Sequence, residues 1–400
     1  MPLRVTHIIP VYAPAWQYGG PVRSVSLLCE GLAKRGVDVR VITTNAGLTQ
    51  DQCSELKIGS RWNGVPVDYY PIDPGRSSIY STQLISNLES SLGGIDIVHL
   101  STIWQPMGPA VQRIAKRMNI PVLQSLRGAL GPYSWSHGWW KKAPYYILHE
   151  RHWLKKAAAL HITSSQEEEE LQRLGIATNY FSMPNPIDLG GLHRDPSLRQ
   201  EIRGKLNIAP EERVLLICGR HHHKKGIDLL PDVLKSINLL QWRILVVGLD
   251  EDGSGRLFAK QMVKNGLGSR MLTLPLQPAE ELCKIYNASD LLLFPSRHEN
   301  FGNVVLEALA CGCQVLVSDT TGVSSDLLQF APSGYGGVLP RVTSKWVKWL
   351  QHWFLSPEIK PQGIRSWLSR TYSPNSVAKI AVQHYEQILL EKYASKSDHI

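Results

Sequence analysis

Two glutamates in the last third of the chain have the type and spacing to bind a sugar. Glu299 precedes Phe301-Gly302, and Glu307 follows in an apolar run. The pattern predicts a strand, a loop and a helix that begins near Gly302, which puts Glu307 about one and a half turns inside it. Its carboxylate could accept hydrogen bonds from sugar hydroxyls, and the N–H groups at the helix start could donate to a phosphate. A solvent-exposed glutamate on an amphipathic helix is the alternative.

A basic loop, residues 219–226, carries charges that suit a diphosphate. Arg220 and Lys225 follow Gly219 at the predicted carboxyl end of a strand, where open α/β sheets bind ligands. Arginine contacts phosphate through a planar fork and lysine acts as a point charge. A solvated basic loop is the alternative. The histidines at 221–223 could suggest a metal, but adjacent loop histidines do not readily all face one ion, so we expect none.

The pair Gly19-Gly20, followed by Pro21, is a second candidate phosphate contact. It lies after the first predicted strand and at the start of a helix, where free N–H groups and the helix dipole attract anions. Glycine lets a ligand approach the backbone closely. An ordinary strand-to-helix turn is the alternative, and the pattern is not the G-x-G-x-x-G of dinucleotide-binding proteins.

The elements that must position these residues alternate between strand and helix. Alternation stops near Met183-Pro-Asn-Pro-Ile-Asp188 and restarts at residue 214, which predicts two successive α/β domains. We assign residues 1–183 to the first domain, 184–373 to the second and 374–400 to a C-terminal helix. Strands are predicted over 4–12, 37–43, 95–100, 121–124, 160–163, 214–218, 243–247, 271–274, 290–294 and 314–318. Helices are predicted over 22–35, 106–117, 143–156, 166–174, 226–239, 279–288, 302–311, 344–354 and 374–391.

These motifs resemble the signature of the retaining glycosyltransferases of family 4, which have the GT-B fold. The resemblance covers nearly the whole chain, including the two glycines, the basic loop and a Pro-Asn-x-x-Asp hinge at 184–188 where proline replaces the usual glycine. Gln314 stands where the family usually has proline. The signature residues are Glu299, Phe301, Gly302, Glu307, Ala308, Ala310 and Gly312.

The resemblance implies a fold of two Rossmann-like domains facing each other across a cleft, with the last helix crossing back to the first domain. It also implies roles for the motif residues. Arg220 and Lys225 would neutralise the donor diphosphate, Glu307 would bind the nucleotide ribose and Glu299 a hydroxyl of the donor sugar. Backbone amides of Phe301, Gly302 and Asn303 would support the sugar and phosphate, and Gly20 would approach the leaving phosphate.

One departure concerns residue 127, because many family members have a histidine in this part of the donor cleft. Here the chain reads Ser125-Leu-Arg127-Gly128. Arginine cannot act as a base near neutral pH, but Arg127 could stabilise the departing phosphate. Members that act on surface-polysaccharide intermediates often have an Arg-Gly-x-Leu run like Arg127–Leu130, so the resemblance favours that branch.

The implied reaction is transfer of a sugar, usually a hexose, from a nucleoside-diphosphate sugar to a glycan or polyprenyl-diphosphate-linked acceptor, with retention at the anomeric carbon (EC 2.4). We expect no cofactor and, on the premise that the chain has no Asp-x-Asp motif, no requirement for a divalent metal. The main alternative is a catalytically inactive nucleotide-sugar-binding scaffold or regulatory subunit. A nucleotide-sugar 2-epimerase is also open, whereas a glycan phosphorylase would need a pyridoxal-bearing lysine in a much longer chain.

Charge and aromatic content suggest where the protein binds its acceptor. The net charge of +9 suits an anionic partner, and the segment 133–156 interleaves Trp and Tyr with Lys and Arg. Such residues suit an anionic membrane surface. We therefore expect a cytoplasmic protein that is peripheral on the inner face of the plasma membrane. An aromatic helix packed in the core is the alternative, and without a recognisable motif we expect no nucleic-acid binding.

Bulk composition agrees with a folded cytoplasmic enzyme. Hydrophobic residues make up 43% of the chain and charged residues 19%, which excludes long-range disorder. No apolar run approaches the roughly 20 residues needed to span a bilayer, and the first ten residues read as a strand rather than a signal peptide. The six cysteines lack zinc-site spacing, so we expect reduced thiols.

Overall fold

The structure is a computed structural model that describes residues 2–76, 78–136, 138–356 and 362–397. The chain divides into two compact units. The first unit comprises Met1–Pro186 and Thr371–Ile400, and the second comprises Ile187–Arg370. The chain passes into the second unit after Pro186, three residues after the boundary expected between residues 183 and 184. It returns to the first unit at Thr371, three residues before the boundary expected at 374.

The first unit is built on an eight-stranded sheet. Its strand order is β3-β4-β2-β1-β5-β6-β7-β8, parallel throughout except for the antiparallel β3–β4 pair. The strands are β1 Arg4–Ile8, β2 Asp38–Thr44, β3 Ser60–Trp62, β4 Val65–Tyr70, β5 Ile97–Leu100, β6 Val122–Ser125, β7 Ala159–Ile162 and β8 Tyr180–Ser182. The helices are α1 Gly20–Lys34, α2 Gln50–Glu55, α3 Thr82–Ser91, α4 Met107–Arg117, α5 Pro132–Ser136, α6 Trp139–Tyr145, α7 Arg151–Lys156 and α8 Ser165–Arg173.

Helices cover both faces of this sheet, which is why its central strands have no solvent-exposed face. All four residues of β5, β6 and β7 are buried. On one face α1 buries Val25 and Leu28, spaced as one side of a helix requires. Gly36 follows α1 with φ +79°, a left-handed conformation that glycine adopts without strain and that ends the helix.

The second unit repeats the scheme with six strands, all parallel, in the order β11-β10-β9-β12-β13-β14. The strands are β9 Arg213–Cys218, β10 Trp242–Val247, β11 Met271–Leu274, β12 Leu291–Phe294, β13 Gln314–Ser318 and β14 Gly336–Leu339. The helices are α9 Pro196–Lys205, α10 Leu230–Lys235, α11 Ser254–Lys264, α12 Ala279–Ala288, α13 Asn303–Ala310, α14 Ser324–Phe330, α15 Thr343–Leu355 and α16 Ile364–Tyr372. Its core includes the fully buried Trp242 and Trp346.

The last helix, α17 (Pro374–Ser397), belongs to the first unit and packs along α1. Val377, Ala378 and Ala381 are completely buried in the same core as Val25. Close packing needs a glycine at position 31 of α1, because a Cβ there would lie 2.3 Å from the Pro374 carbonyl oxygen. The last three residues of the segment expected at 374–400 lie outside the described residues.

Two predicted helices differ from the structure. Residues 143–156 do not form one helix: α6 ends at Tyr145, a π-helix covers Tyr146–Glu150 and α7 follows. Residues 226–239 form a 3-10 turn, Ile227–Leu229, and the short α10, because Pro231 fits only the first turn of a helix. Within the described residues, no helix combines the length and apolarity needed to cross a bilayer.

Candidate active site

The predicted donor-binding motifs of the second unit come together at the carboxyl ends of its central strands. Strands β9 and β12 are hydrogen-bonded neighbours, so the loops that follow them are adjacent. The Arg297 N–H donates to the Lys224 carbonyl at 2.7 Å, joining these two loops. The Glu299 N–H donates to the Thr320 carbonyl at 3.2 Å, which adds the loop after β13. Three separate sequence segments therefore form one loop cluster.

Lys225 and Glu299 form an ion pair within this cluster. The Lys225 Nζ donates to the Glu299 Oε2, both side chains are partly buried, and Nζ also lies 5.0 Å from the centroid of the Phe294 ring. Lys225 ends a 3-10 turn held in place by Gly226, whose φ is +60°. A Cβ at 226 would lie 2.2 Å from the Pro295 carbonyl oxygen, so this turn requires glycine.

Arg220 has different surroundings. Its guanidinium pairs with Glu251 at 3.2 Å, and the side chain is 60% exposed. Gly219 precedes it with φ +121°, where glycine is favoured. Arg220 is thus carried by the same loop as Lys225 but is a solvent-exposed cation, which must change partner to bind a ligand.

Glu307 lies on the buried side of α13, so the solvent-exposed alternative is wrong. Its Oε2 accepts a hydrogen bond of 3.0 Å from the Tyr286 hydroxyl on α12. Tyr286 is fully buried, and burial raises its pKa well above the usual value, so the hydroxyl stays a donor. Tyr286 was not predicted as part of the site, because 21 residues separate it from its partner and no local motif links them.

The start of α13 lies in the same loop cluster. Gly302 is the N-cap residue with φ +100°, and a Cβ there would lie 2.9 Å from the Thr321 methyl group. Asn303 begins the helix, whose first N–H groups have no partner within the helix. The Phe301 carbonyl accepts a 2.8 Å bond from the Val323 N–H, which fixes the approach to the helix.

The premise that the chain has no Asp-x-Asp motif is wrong. Asp250-Glu251-Asp252 has the Asp-x-Asp spacing that can hold a divalent cation. The Asp250 carboxylate instead accepts hydrogen bonds from the Gly253, Gly255 and Arg256 N–H groups, each at 3.0 Å. The Asp252 carboxylate accepts from the His223 and Ser254 N–H groups. Among the described residues, no group of three His, Cys, Asp or Glu side chains is arranged to hold a metal ion.

In the first unit, Arg127 lies beside the first turns of α1. Its Nη1 donates to the Ser24 Oγ and the Asn185 Oδ1, both at 2.9 Å, and its Nε donates to the Ser101 Oγ at 3.4 Å. Ser24 is one turn after Gly20, so Arg127 and the glycine pair belong to one region. Burial lowers the Arg127 pKa to about 10, and the guanidinium therefore stays charged at neutral pH.

The glycine pair forms the expected helix start. Gly19 is the N-cap of α1 with φ +83°, Gly20 is its first residue and Pro21 follows at the second position. Proline suits the first turn, where its missing N–H costs no hydrogen bond. A Cβ at Gly19 would meet no atom within 4 Å, so the left-handed φ, not crowding, requires glycine at this position.

Two glutamates of the acidic run at 167–170 are buried, although such a run on a helix is usually a solvated face. Glu167 is fully buried and Glu170 nearly so. The Glu167 Oε2 accepts from the Thr163 N–H at 2.6 Å and the Thr163 Oγ1 at 2.8 Å, and its Oε1 accepts from the Gly128 N–H. Burial raises the pKa of Glu167 despite these donors. The sequence shows only the helix register here, not the residues packed against it.

A chain of buried polar side chains crosses the first unit's sheet. His99 on β5 bonds to the Tyr385 hydroxyl through Nδ1 (2.7 Å) and to the Ser125 Oγ through Nε2 (2.8 Å). Ser125 in turn bonds to the His161 Nδ1 (2.7 Å), and the His161 Nε2 bonds to the Met183 carbonyl (2.9 Å). Burial lowers the pKa of His161 to about 3, so its ring is neutral.

The aromatic segment at 133–156 divides into an inner and an outer side. Trp104, Trp135 and Tyr146 pack together, with the Trp104–Trp135 ring centroids 5.1 Å apart. Outside are four large apolar side chains: Trp139 (65% exposed), Trp140 (63%), Ile147 (68%) and Leu148 (70%). His137 lies outside the described residues. The core-packing alternative therefore holds for one side of the segment only.

Comparison with protein families identifies both parts of the chain. A family described as "Glycosyl transferase 4-like domain" matches residues 19–186, and "Glycosyl transferases group 1" matches residues 199–335. The chain is similar to the D-inositol 3-phosphate glycosyltransferase of Xylanimonas cellulosilytica, with 25% identity over 80% of this chain and 81% of the relative. The corresponding enzyme of Jonesia denitrificans is 26% identical over 80% of each chain.

Solved structures give the fold. Sucrose-phosphate synthase from Thermosynechococcus elongatus superposes with a TM-score of 0.73 at 19% identity, over 97% of this chain and 100% of that one. Anabaena HepE in complex with UDP and glucose superposes with a TM-score of 0.72 at 16% identity, over 96% and 100%. With two matched family domains and two Rossmann-like sheets, the chain belongs to the family 4 glycosyltransferases and has the GT-B fold.

Proposed function

We propose that the enzyme transfers a sugar from a nucleoside-diphosphate sugar to a glycan or polyprenyl-diphosphate-linked acceptor, with retention of configuration, in polysaccharide synthesis. The observation that carries the donor half is the loop cluster in which Lys225 pairs with Glu299. The lysine cation suits the diphosphate of such a donor, and the neighbouring carboxylate suits a hydroxyl of its sugar. Glu307, buried and oriented by Tyr286, supplies an acceptor suited to ribose hydroxyls.

In this proposal the donor replaces an internal ion pair. The diphosphate takes Lys225, and Arg220 leaves Glu251 to join it, while Glu299 accepts from a hydroxyl of the donor sugar. The amides of Phe301, Gly302 and Asn303 donate to the sugar and phosphate, as helix starts commonly do.

As the anomeric C–O bond breaks, negative charge grows on the leaving phosphate. In this proposal Arg127 and the Gly19-Gly20 helix start stabilise that charge. Cations and N–H dipoles that are fixed beforehand lower such a barrier without reorganising. Arg127, which is partly buried and stays charged at neutral pH, fits that requirement.

A thermal-shift screen tests the donor half. UDP-glucose, GDP-mannose and ADP-glucose each serve as probe, and a donor at 100 times its dissociation constant adds about 2.7 kcal/mol of stability. Lys225→Ala and Glu299→Gln should abolish that gain, whereas Glu280→Gln, an exposed carboxylate in the first turn of α12, should leave it intact. If no donor stabilises the wild type, the proposed donor site is wrong.

Turnover distinguishes an enzyme from the inactive scaffold. The scaffold alternative predicts donor binding without hydrolysis or transfer, and Glu299→Gln would then change binding only. We expect slow donor hydrolysis in the wild type and its loss in both site variants. We also propose that the reaction needs no divalent metal or cofactor, so EDTA should leave the rate unchanged.

We propose that the enzyme binds its acceptor at a membrane surface. Trp139, Trp140, Ile147 and Leu148 expose an apolar surface, and Lys141 lies 4.7 Å from the Trp140 ring centroid. Aromatic side chains next to lysines favour the headgroup region of anionic lipids. This supports a cytoplasmic enzyme that is peripheral on the inner leaflet.

Vesicle flotation tests the membrane proposal. Wild type should float with phosphatidylserine-containing vesicles, and Trp139→Ser with Trp140→Ser should not. Leu239→Ser is the control, because Leu239 is 94% exposed but lies in the second unit. Equal flotation of all three proteins, or of none, would contradict the proposal.

A second acceptor follows from the names of the relatives, which are D-inositol 3-phosphate glycosyltransferases. Their identity of about a quarter supports inositol phosphate as a candidate acceptor here. Transfer assays should therefore offer D-inositol 3-phosphate and a polyprenyl-diphosphate sugar side by side. If product forms only with D-inositol 3-phosphate, that compound replaces the lipid-linked acceptor in this proposal.

A further inference from the structure

The Arg127–Gly128 turn has an unusual backbone that something must hold. Arg127 has φ +50° and Gly128 has φ +72°, two consecutive residues in the left-handed region. Glycine adopts this region freely, but a side chain such as arginine does so at a cost in free energy. Such strained residues persist only where their surroundings determine them, and they cluster at functional sites.

Glu167 is the group that holds this turn. Its Oε1 accepts the Gly128 N–H, and its Oε2 is fixed by the backbone and side chain of Thr163. A carboxylate with no solvent exposure and three donors has little freedom to move. Glu167 lies in the first turn of α8, so this helix anchors the position of the Gly128 N–H.

Glu167 also balances the charge of Arg127. The hydrogen-bond partners described for the guanidinium, Ser24, Ser101 and Asn185, are all neutral. Among the charged groups described, Glu167 is the carboxylate that favours the charged form of Arg127. Its hydrogen bond is to the Gly128 N–H, and it is not among the hydrogen-bond partners described for the guanidinium, so it supplies this charge without taking up those donors.

We propose that Glu167 is a positioning residue of the transferase, which fixes the Arg127–Gly128 turn so that the guanidinium meets the leaving phosphate already oriented. The inference rests on the role proposed for Arg127. It predicts that losing the carboxylate slows the chemical step more than it weakens donor binding, because an unfixed Arg127 must reorganise during the reaction.

Steady-state kinetics with UDP-glucose, GDP-mannose and ADP-glucose as donors test this. Glu167→Gln should lower kcat roughly 10- to 100-fold, the range typical of groups that orient a functional residue, with the donor KM changed less than about 3-fold. Glu169→Gln is the matched control on the same helix, since that carboxylate is exposed and pairs with Arg173. Equal kcat in wild type and a folded Glu167→Gln would overturn the inference.

A double-mutant cycle separates this inference from the proposed function. If Glu167 acts through Arg127, the double variant of Glu167→Gln and Arg127→Ala should be no slower than Arg127→Ala alone. Additive losses would refute the positioning role. If Arg127→Ala itself leaves kcat unchanged, the role proposed for Arg127 fails. If Arg127→Ala lowers kcat but Glu167→Gln does not, only the inference about Glu167 is refuted.

Guanidinium rescue adds a readout that a merely structural role would not change. Guanidinium ions should restore part of the activity of Arg127→Ala, and less in the double variant, because the buried carboxylate that attracts the ion is gone.

Should Glu167→Gln fail to fold, Thr163→Val removes one donor to Glu167 and keeps the side-chain shape. Thr163→Val should lower kcat several-fold, and an unchanged kcat in this variant would refute the inference.

Discussion

Replacing Glu150 by glutamine should stabilise the first unit above neutral pH and have little effect in mild acid. Glu150 is 3% exposed at the end of the π-helix, and its Oε1 accepts the Trp104 N–H at 3.0 Å. Burial raises its pKa from 4.5 to about 7. The carboxylate form is therefore the costly one, and glutamine keeps an acceptor for the Trp104 N–H without ever carrying a charge.

The sign and size follow from proton linkage. The folded pKa of Glu150 lies above the unfolded value, so the folded state binds more protons between pH 4.5 and about 7. Its contribution to stability is present below the unfolded pKa and is lost as pH rises through the folded one. For these two pKa values, the loss between pH 5 and pH 8 is about 2.5 kcal/mol.

Only the difference between variant and wild type reveals this effect, because buried histidines act in the opposite direction. Burial lowers the pKa of His7 and of His161 to about 3, from 6.5. The unfolded chain then binds more protons below pH 6.5, so each histidine makes the fold less stable as pH falls, by about 2 kcal/mol at pH 5. In the comparison of Glu150→Gln with wild type these contributions cancel.

The assay is urea unfolding at pH 5, 6, 7 and 8, followed by circular dichroism. Limited proteolysis separates the two units. The free energy of unfolding of Glu150→Gln minus that of wild type should rise by about 2.5 kcal/mol from pH 5 to pH 8. Glu169→Gln, an exposed carboxylate, should show no such trend. A difference for Glu150→Gln that does not vary with pH would refute the reasoning.

Two further variants test the buried hydroxyl groups. Tyr286→Phe removes the donor to Glu307 and should raise the donor KM roughly 3- to 10-fold with little change in kcat, measured by initial rates. Tyr385→Phe removes the partner of the His99 ring and should lower the free energy of unfolding of the first unit by about 1–3 kcal/mol, whereas Tyr393→Phe, exposed on the same helix, should not. An unchanged KM in the first case, or equal stability in the second, would contradict these assignments.

Most of the α/β alternation was predictable because parallel strands buried on both faces appear as short apolar runs. The helix over Ala279–Ala288 and the strand over Gln314–Ser318 were predicted with the bounds that the structure has. The hairpin of β3 and β4 was missed although its signal was present. Asn63-Gly64, with φ +46° and +83°, is the two-residue turn that joins twisted antiparallel strands.

The candidate site was predictable where its residues lie in one segment and not where they meet across segments. Spacing alone predicted Gly302 at the start of α13 and Glu307 on that helix. It did not predict that Tyr286 would orient Glu307, or that Glu167 would reach Gly128, 39 residues away. Partners that are distant along the chain leave no mark on hydrophobic periodicity.

The three cations proposed to handle phosphate differ in how firmly the fold holds them, and that difference suggests a division of work. Arg220 pairs with Glu251 at the surface, where ion pairs contribute about 0–1 kcal/mol, so it can change partner readily. Lys225 is partly buried and must leave Glu299 to bind a diphosphate.

Arg127 is fixed by three neutral acceptors and by a turn that a buried carboxylate holds. A cation that moves easily suits the capture of a substrate, because binding then costs little rearrangement. A cation that cannot move suits the stabilisation of charge that exists only as a bond breaks, because its orientation is already set in the fold. We therefore propose that Arg220 serves donor binding, Arg127 the chemical step, and Lys225 both.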